Sequence, residues 1–145
     1  MTLKLKILNK SQFDKKMNTR IQKTLKNIKR TVRVTSNEVR NTAITSILNN
    51  PRAGETTTRY NPTRTIRISK EGDPPASDTG FLASNIHLVV DADQLGASIE
   101  SRAKYSEALE FGTRHMQARP FMQPALEQGK RKYKQMFSKA VKDGI

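Results

Sequence analysis

From Phe13 to Ile47 the apolar residues recur at intervals of three, four and seven: Phe13, Met17, Ile21, Leu25, Ile28, Val32, Val39, Ala43 and Ile47. That spacing follows the turn of an α-helix and sets them on one stripe. At 100° per residue from Phe13, the stripe covers roughly 0 to 160°. Lys15, Lys16, Arg20, Lys23, Lys26, Lys29, Arg30, Arg33 and Arg40 fall between roughly 160 and 340°. The prediction is one long basic amphipathic helix over residues 12–49. Ser11 and Asp14 would cap it in the manner of a capping box, and Asn49, Asn50 and Pro51 would stop it. At 1.5 Å per residue it would be about 55 Å long, wider than a small domain, so part of it should project beyond its own core.

The rest of the chain can supply only a modest core. Its 145 residues suit a single domain spanning 1–145. Hydrophobic residues make up 34% and tryptophan is absent, against about 45 to 50% in an ordinary globular chain. A partner subunit is therefore expected to share in burying the apolar surface. Zero cysteine excludes a disulfide scaffold, a thiol nucleophile and a thiolate-held metal.

Charge points outward. Lysine and arginine total 27 against 13 acids, a net charge of +14. Residues 1–50 carry +10, residues 51–100 carry −2 and residues 101–145 carry +6. Such an excess implies a polyanionic neighbour, an acidic protein or an anionic surface. Met1 to Leu8, an N-terminal arm continuing to residue 11, is basic and mildly apolar but lacks the apolar run of a signal peptide. No stretch approaches the roughly 20 apolar residues of a membrane span, and no membrane partner is expected.

Beyond the long helix, Arg52 to Asn61 reads as a loop or a weak edge strand. Thr63 to Ser69 alternates as a half-buried strand, with Ile66 and Ile68 on one face. Lys70 to Asp78, with Gly72, Pro74 and Pro75, predicts an exposed loop over 70–78. Asp78 or Thr79 would cap a short helix through Ile86. His87 to Asp91 and Ala97 to Ser101 predict a hairpin, which completes a sheet region over 57–104. Tyr105, Ala108, Leu109 and Phe111 suit a short helix closed by Gly112. Phe121 to Val141 returns to a spacing of three and four. The region 105–145 is thus a helix-loop-helix, and the fold class is α+β: long N-terminal and C-terminal helices packed on a small antiparallel sheet.

Chemistry-bearing motifs are sparse. His87, His115, Glu107 and Glu110 form no HxH, HExxH or paired-carboxylate pattern, and there is no GxGxxG or GxxxxGK[ST]. No enzyme activity, cofactor or metal is expected. The basic helix face reads either as a solvated surface or as a contact for nucleic-acid phosphates, made by Lys15, Lys16, Arg20, Lys23, Lys26, Lys29, Arg30 and Arg33. No base-reading motif accompanies it, so any such binding would ignore sequence.

The most distinctive stretch is Tyr105 to Leu126, YSEALEFGTRHMQARPFMQPAL. It contains Tyr105, then Glu110, Phe111, Gly112 and Thr113, then Ala118, Arg119, Pro120 and Phe121, then Pro124 and Ala125. It resembles the tail-completion, or head-to-tail joining (neck), proteins of long-tailed bacteriophages, whose pattern is a tyrosine and alanine in a short helix, E-F-G-T, a gap, and A-R-P-F followed by proline and alanine. Ser106 stands where that family has alanine. Upstream, Pro74, Pro75, Ser77, Thr79, Gly80 and Leu82 resemble the family's P-P-x-S-x-T-G-x-L segment.

The resemblance implies a structural virion protein, assembled in the host cytoplasm. It would form a ring of six or twelve copies at the head–tail junction, beside neck and tail-terminator or tail-tube proteins and near the passing genomic DNA. The alternative is a free protein that binds nucleic acid non-specifically through its basic helix face. Local chemistry also accounts for the motif: Gly112 ends one helix, Pro120 starts the next, and Phe111 and Phe121 can meet across the turn. Glu110 and Arg119 can pair with each other there, or reach a neighbouring subunit.

Overall fold

The computed structural model describes residues 9–144; Met1 to Leu8, most of the expected arm, lie outside the described residues. The predicted long helix is α1 (Lys10–Leu48), 39 residues and so about 58 Å at 1.5 Å per residue. The capping box does not form. Asn9 is the N-cap, in a left-handed conformation without a side-chain cap, and Ser11 lies inside the helix, where its hydroxyl is too late to serve the first turn. Asn49 is the C-cap, as the stop signal predicts.

Four strands and three shorter helices follow: β1 (Thr56–Tyr60), β2 (Thr63–Arg67), α2 (Phe81–Ser84), β3 (Ile86–Val90), β4 (Ala97–Ser101), α3 (Ser106–Phe111) and α4 (Met122–Lys142). The class is α+β as expected. Instead of one sheet, however, β1–β2 and β3–β4 are separate antiparallel hairpins. The weak segment before Asn61 is a strand because β2 pairs with it from Thr56↔Arg67 to Tyr60↔Thr63. The second hairpin runs from Ile86↔Ser101 to Val90↔Ala97, and Ile86, expected to end a helix, starts its first strand. Gly80, not Asp78 or Thr79, is the N-cap of α2. Asp78 instead accepts the Arg64 guanidinium at 2.8 Å.

The helices run antiparallel: Asn27 donates to the carbonyl of Ala140 at 3.4 Å, and Lys132 pairs with Glu38 further along. Small residues let them approach, with Ala43 and Ala125 exposed by 0% and 3%. Val39, Ala43 and Ile47 of α1 form the floor of the core. Above it lie Leu82 and Ala83 of α2, Ile86 of β3, Ala103, Phe121 and Tyr133 of α4. Arg40, assigned by its helical angle to the basic face, is half-buried because its Nε donates to the Ile86 carbonyl at 2.8 Å and ties β3 to α1.

The loop over 70–78 is exposed at 70–72 and 78 but drawn in at its middle. Pro75 is buried, and residues 73, 74, 76 and 77 are half-buried. Gly72 N–H donates to Ala118 at 3.0 Å and Ser77 N–H to Ile47 at 3.1 Å, while the Asn50 amide donates to Pro74 at 2.8 Å. These bonds strap the segment across the end of α1.

The lengths of α1 and α4 do not match. The C-terminal end of α4 stops against Thr24, where a Cβ on Gly144 would fall 2.6 Å from the Thr24 Cα. Every residue from Lys10 to Lys23 is exposed. This overhang, about 14 residues and roughly 21 Å long, bears Phe13 at 53%, Met17 at 40% and Ile21 at 48% exposure on the stripe that is buried further along. In denaturant titrations of the purified chain, Ile47→Ala should therefore cost about 3 kcal/mol, whereas Met17→Ala should stay within about 0.5 kcal/mol. Equal losses would mean that the overhang is packed within the subunit.

Candidate functional site

The residues that carry the family resemblance gather mainly at the junction of α3 and α4. An α-helix leaves the amides of its N-cap and first three residues without intrahelical acceptors. For α4 these belong to Phe121, Met122, Gln123 and Pro124, and the N-cap Phe121 has no polar side chain to serve them. The Glu110 carboxylate does so from α3. Its Oε2 accepts from the N–H groups of Phe121 at 2.8 Å and Met122 at 3.0 Å, and its Oε1 from Gln123 at 2.8 Å. Pro124 has no N–H to satisfy. One carboxylate and one proline thus dispose of every unpaired donor in the turn, and the negative charge faces the positive end of the helix dipole.

This arrangement corrects three expectations. Glu110 and Arg119 do not pair; the Glu110 oxygens accept from backbone amides. The Arg119 Nε is instead buried without an acceptor among the described residues. Pro120 is not the first residue of α4 but precedes the N-cap; the first-turn proline is Pro124. Phe111 and Phe121 do not meet: Phe111 is 74% exposed at the end of α3, whereas Phe121 is 1% exposed in the core.

Gly112 closes α3 as expected, in a conformation other than a left-handed turn. Its φ of 77° and ψ of −180° lie in a region that only glycine enters readily. A Cβ there would also fall 2.9 Å from the Met116 carbonyl oxygen and 3.0 Å from the Ala118 nitrogen. The loop folds back through Thr113 N–H to Met116 at 2.8 Å and Arg119 N–H to Leu109 at 2.7 Å. Ala118 offers its carbonyl to Gly72, which joins the corner to the strap.

The upstream motif residues lie near the start of the corner. Thr79 Oγ1 accepts from Phe81 N–H at 3.4 Å, Gly80 takes φ 78°, and Leu82 is buried. Phe81 and Tyr105 meet with ring centroids 6.3 Å apart while both remain about half exposed. Partial burial pushes the Tyr105 phenol up and nearby Arg59 offsets part of that, so it stays protonated at neutral pH. Burial likewise raises Tyr133, with Glu38 adding to the effect.

Lys15, Lys16, Arg20, Lys23, Lys26, Arg30 and Arg33 are exposed along α1, and Lys29 is half-buried. Among the described residues no group of three or more His, Asp or Glu side chains comes together. No protein-family model matches the chain, and comparison with curated proteins and with solved structures finds no match either.

The role of Glu110 escaped sequence reasoning, although a signal was present. Arg119, Pro120 and Phe121 supply none of the Ser, Thr, Asp or Asn side chains that commonly cap a helix, so the acceptor had to come from elsewhere in the chain. Glu110→Ala should cost about 2 kcal/mol in thermal or chemical unfolding. Glu110→Gln, which keeps one acceptor oxygen, should cost less, and Glu107→Ala should stay within about 0.5 kcal/mol. Equal effects of Glu107→Ala and Glu110→Ala would contradict the capping role.

Proposed function

We propose that this chain is a structural subunit of a ring at the head–tail junction of a long-tailed phage, where it joins the tail to the DNA-filled head. The observation that carries the reading is the overhang of α1, which continues the apolar stripe of the core for about two further hydrophobic repeats with nothing among the described residues to cover it. A stripe half used within the subunit and half presented outside it suits a head-to-tail contact between copies, which closes into a ring when the rotation permits. Phe111, at 74% exposure beside a tightly built corner, is a second apolar contact of the same kind.

The resemblance at residues 74–126 supports a ring of six or twelve copies beside neck and tail-terminator or tail-tube proteins, in the virion after assembly in the host cytoplasm. In this reading the motif corner has two tasks. Glu110, Gly112, Ala118 and Phe121 hold α4 against α1, and Phe111 faces a neighbour. The competing reading, a free protein coating DNA, rests on the exposed cations alone and leaves the apolar overhang unused.

Two experiments test the proposal. Disrupting the gene in the phage that encodes it should leave DNA-filled heads and separate tails in electron micrographs of the lysate; joined, infectious particles would overturn it. Complementing with Phe13→Asp/Ile21→Asp should fail to restore joining, although the purified variant melts within about 2 °C of the parent because both positions are exposed.

A further inference from the structure

We propose that the cleft between α1 and the β3–β4 turn is a binding site for the phosphodiester backbone of duplex DNA. The cleft is about 380 Å³, and its polar lining is Gln22, Lys26, Lys29, Arg30 and Arg33 of α1 with Gln94 of the turn. No acid lines it. Lys26 and Arg33 each stand three and four residues from the central Lys29 and Arg30, which brings those pairs to about 5–6 Å between Cβ atoms and leaves them mutually repelling until a counter-anion arrives. From Lys26 to Arg33 the row is about 10 Å long. Duplex DNA carries roughly one charge per 1.7 Å of axis, so a row of that length meets several phosphates without reading any base.

The nearby acids do not fill the cleft. Asp93 Oδ1 accepts from Leu95 N–H at 2.9 Å within the turn. The Asp91 carboxylate lies against Gly96, its Cγ 3.2 Å from where a Cβ on that glycine would stand. The ion pairs among the described residues are Arg64–Asp78, Lys130–Glu127 and Lys132–Glu38, all outside the cleft. Gln94 holds φ 60°, a conformation that glycine adopts freely and a side chain enters at a cost. Gln94 is the residue of the turn that lines the cleft, and its neutral side-chain amide adds a hydrogen-bond donor to the cations of α1.

Nucleic acid fits this lining better than an acidic protein segment does. Among the described residues Leu25 is the one apolar side chain in the cleft, whereas protein docking draws most of its energy from apolar and aromatic anchors. The overhang cations Lys16, Arg20 and Lys23 lie on the same broad basic face of α1 but precede the cations of the cleft and do not line it. This inference stands apart from the ring reading, and either can fail alone.

Fluorescence anisotropy of a labelled duplex of about 20 base pairs, over roughly 50 to 200 mM salt, tests it with the purified full chain. Lys26→Ala/Arg30→Ala, two exposed positions whose loss leaves folding unaffected, should weaken binding about tenfold and lower the slope of log affinity against log salt by about 2. Gln94→Gly, which keeps the backbone and removes the amide, should weaken it about threefold. Lys16→Ala/Lys23→Ala should do less than a third as much as the cleft pair. An equal effect of the two pairs would overturn the site. So would competition by polyglutamate of matched charge as effective as that by unlabelled duplex, which would assign the cleft to an acidic protein, or displacement of duplex by stoichiometric tripolyphosphate, which would assign it to free phosphates.

Discussion

The carboxylate of Glu110 accepts three amide hydrogens from the first turn of α4, and the placement of that helix follows from it. α4 begins at the edge of the core, with Phe121 buried at its N-cap, where unpaired amides would be costly to hide from water. A remote carboxylate meets that cost only if the chain between them is folded back. Gly112 makes the reversal with a backbone conformation closed to other residues, and Arg119 N–H returns to Leu109 to complete it. With α4 held at that end, Ala125, Tyr133 and Ala140 fall along the buried face opposite α1. The core depends on a polar contact that is itself outside the hydrophobic cluster.

That core then ends where α4 ends. α1 is the longer helix by nearly half its own length, and its stripe continues after the last turn of α4 has stopped at Thr24. A short exposed helix in water is marginal, since the first turn is costly to form and no tertiary packing repays it. The overhang is kept helical by continuity with the packed part of α1 and would be stabilised further by a neighbour. In the proposed ring, the thin hydrophobic composition and the long amphipathic helix would be two expressions of one arrangement, in which the subunit leaves some of its apolar contacts to its copies.

Much of this was legible in the residues. The spacing from Phe13 to Ile47 predicts α1 nearly to its ends, the spacing from Phe121 to Val141 predicts α4, and the two short runs, His87 to Asp91 and Ala97 to Ser101, predict the second hairpin. These elements announce themselves because their periodicity repeats over many residues. What was not legible came from single contacts between distant segments. Arg52 to Asn61 reads only as a loop or a weak edge strand, because it is the partner β2 that makes Thr56–Tyr60 a strand. The strap at 70–78 has the composition of a solvated loop, and only its bonds to Ile47, Asn50 and Ala118 draw it in. Glu110 lies eleven residues before the first amide it serves, beyond any local capping rule. The cleft escaped for the same reason: its cations lie on one helix, but Gln94 reaches it from another element.

Hydrogen exchange followed by mass spectrometry, on the isolated chain and on assembled particles, tests the account most directly. In the isolated chain, amides 121–123 should be protected while those from 10 to 23 exchange quickly; in the particle, 10–23 should become protected and 121–123 remain as they were. Overhang amides that exchange equally fast in both states, or that are already protected in the isolated chain, would contradict the claim that this subunit is completed by its neighbours.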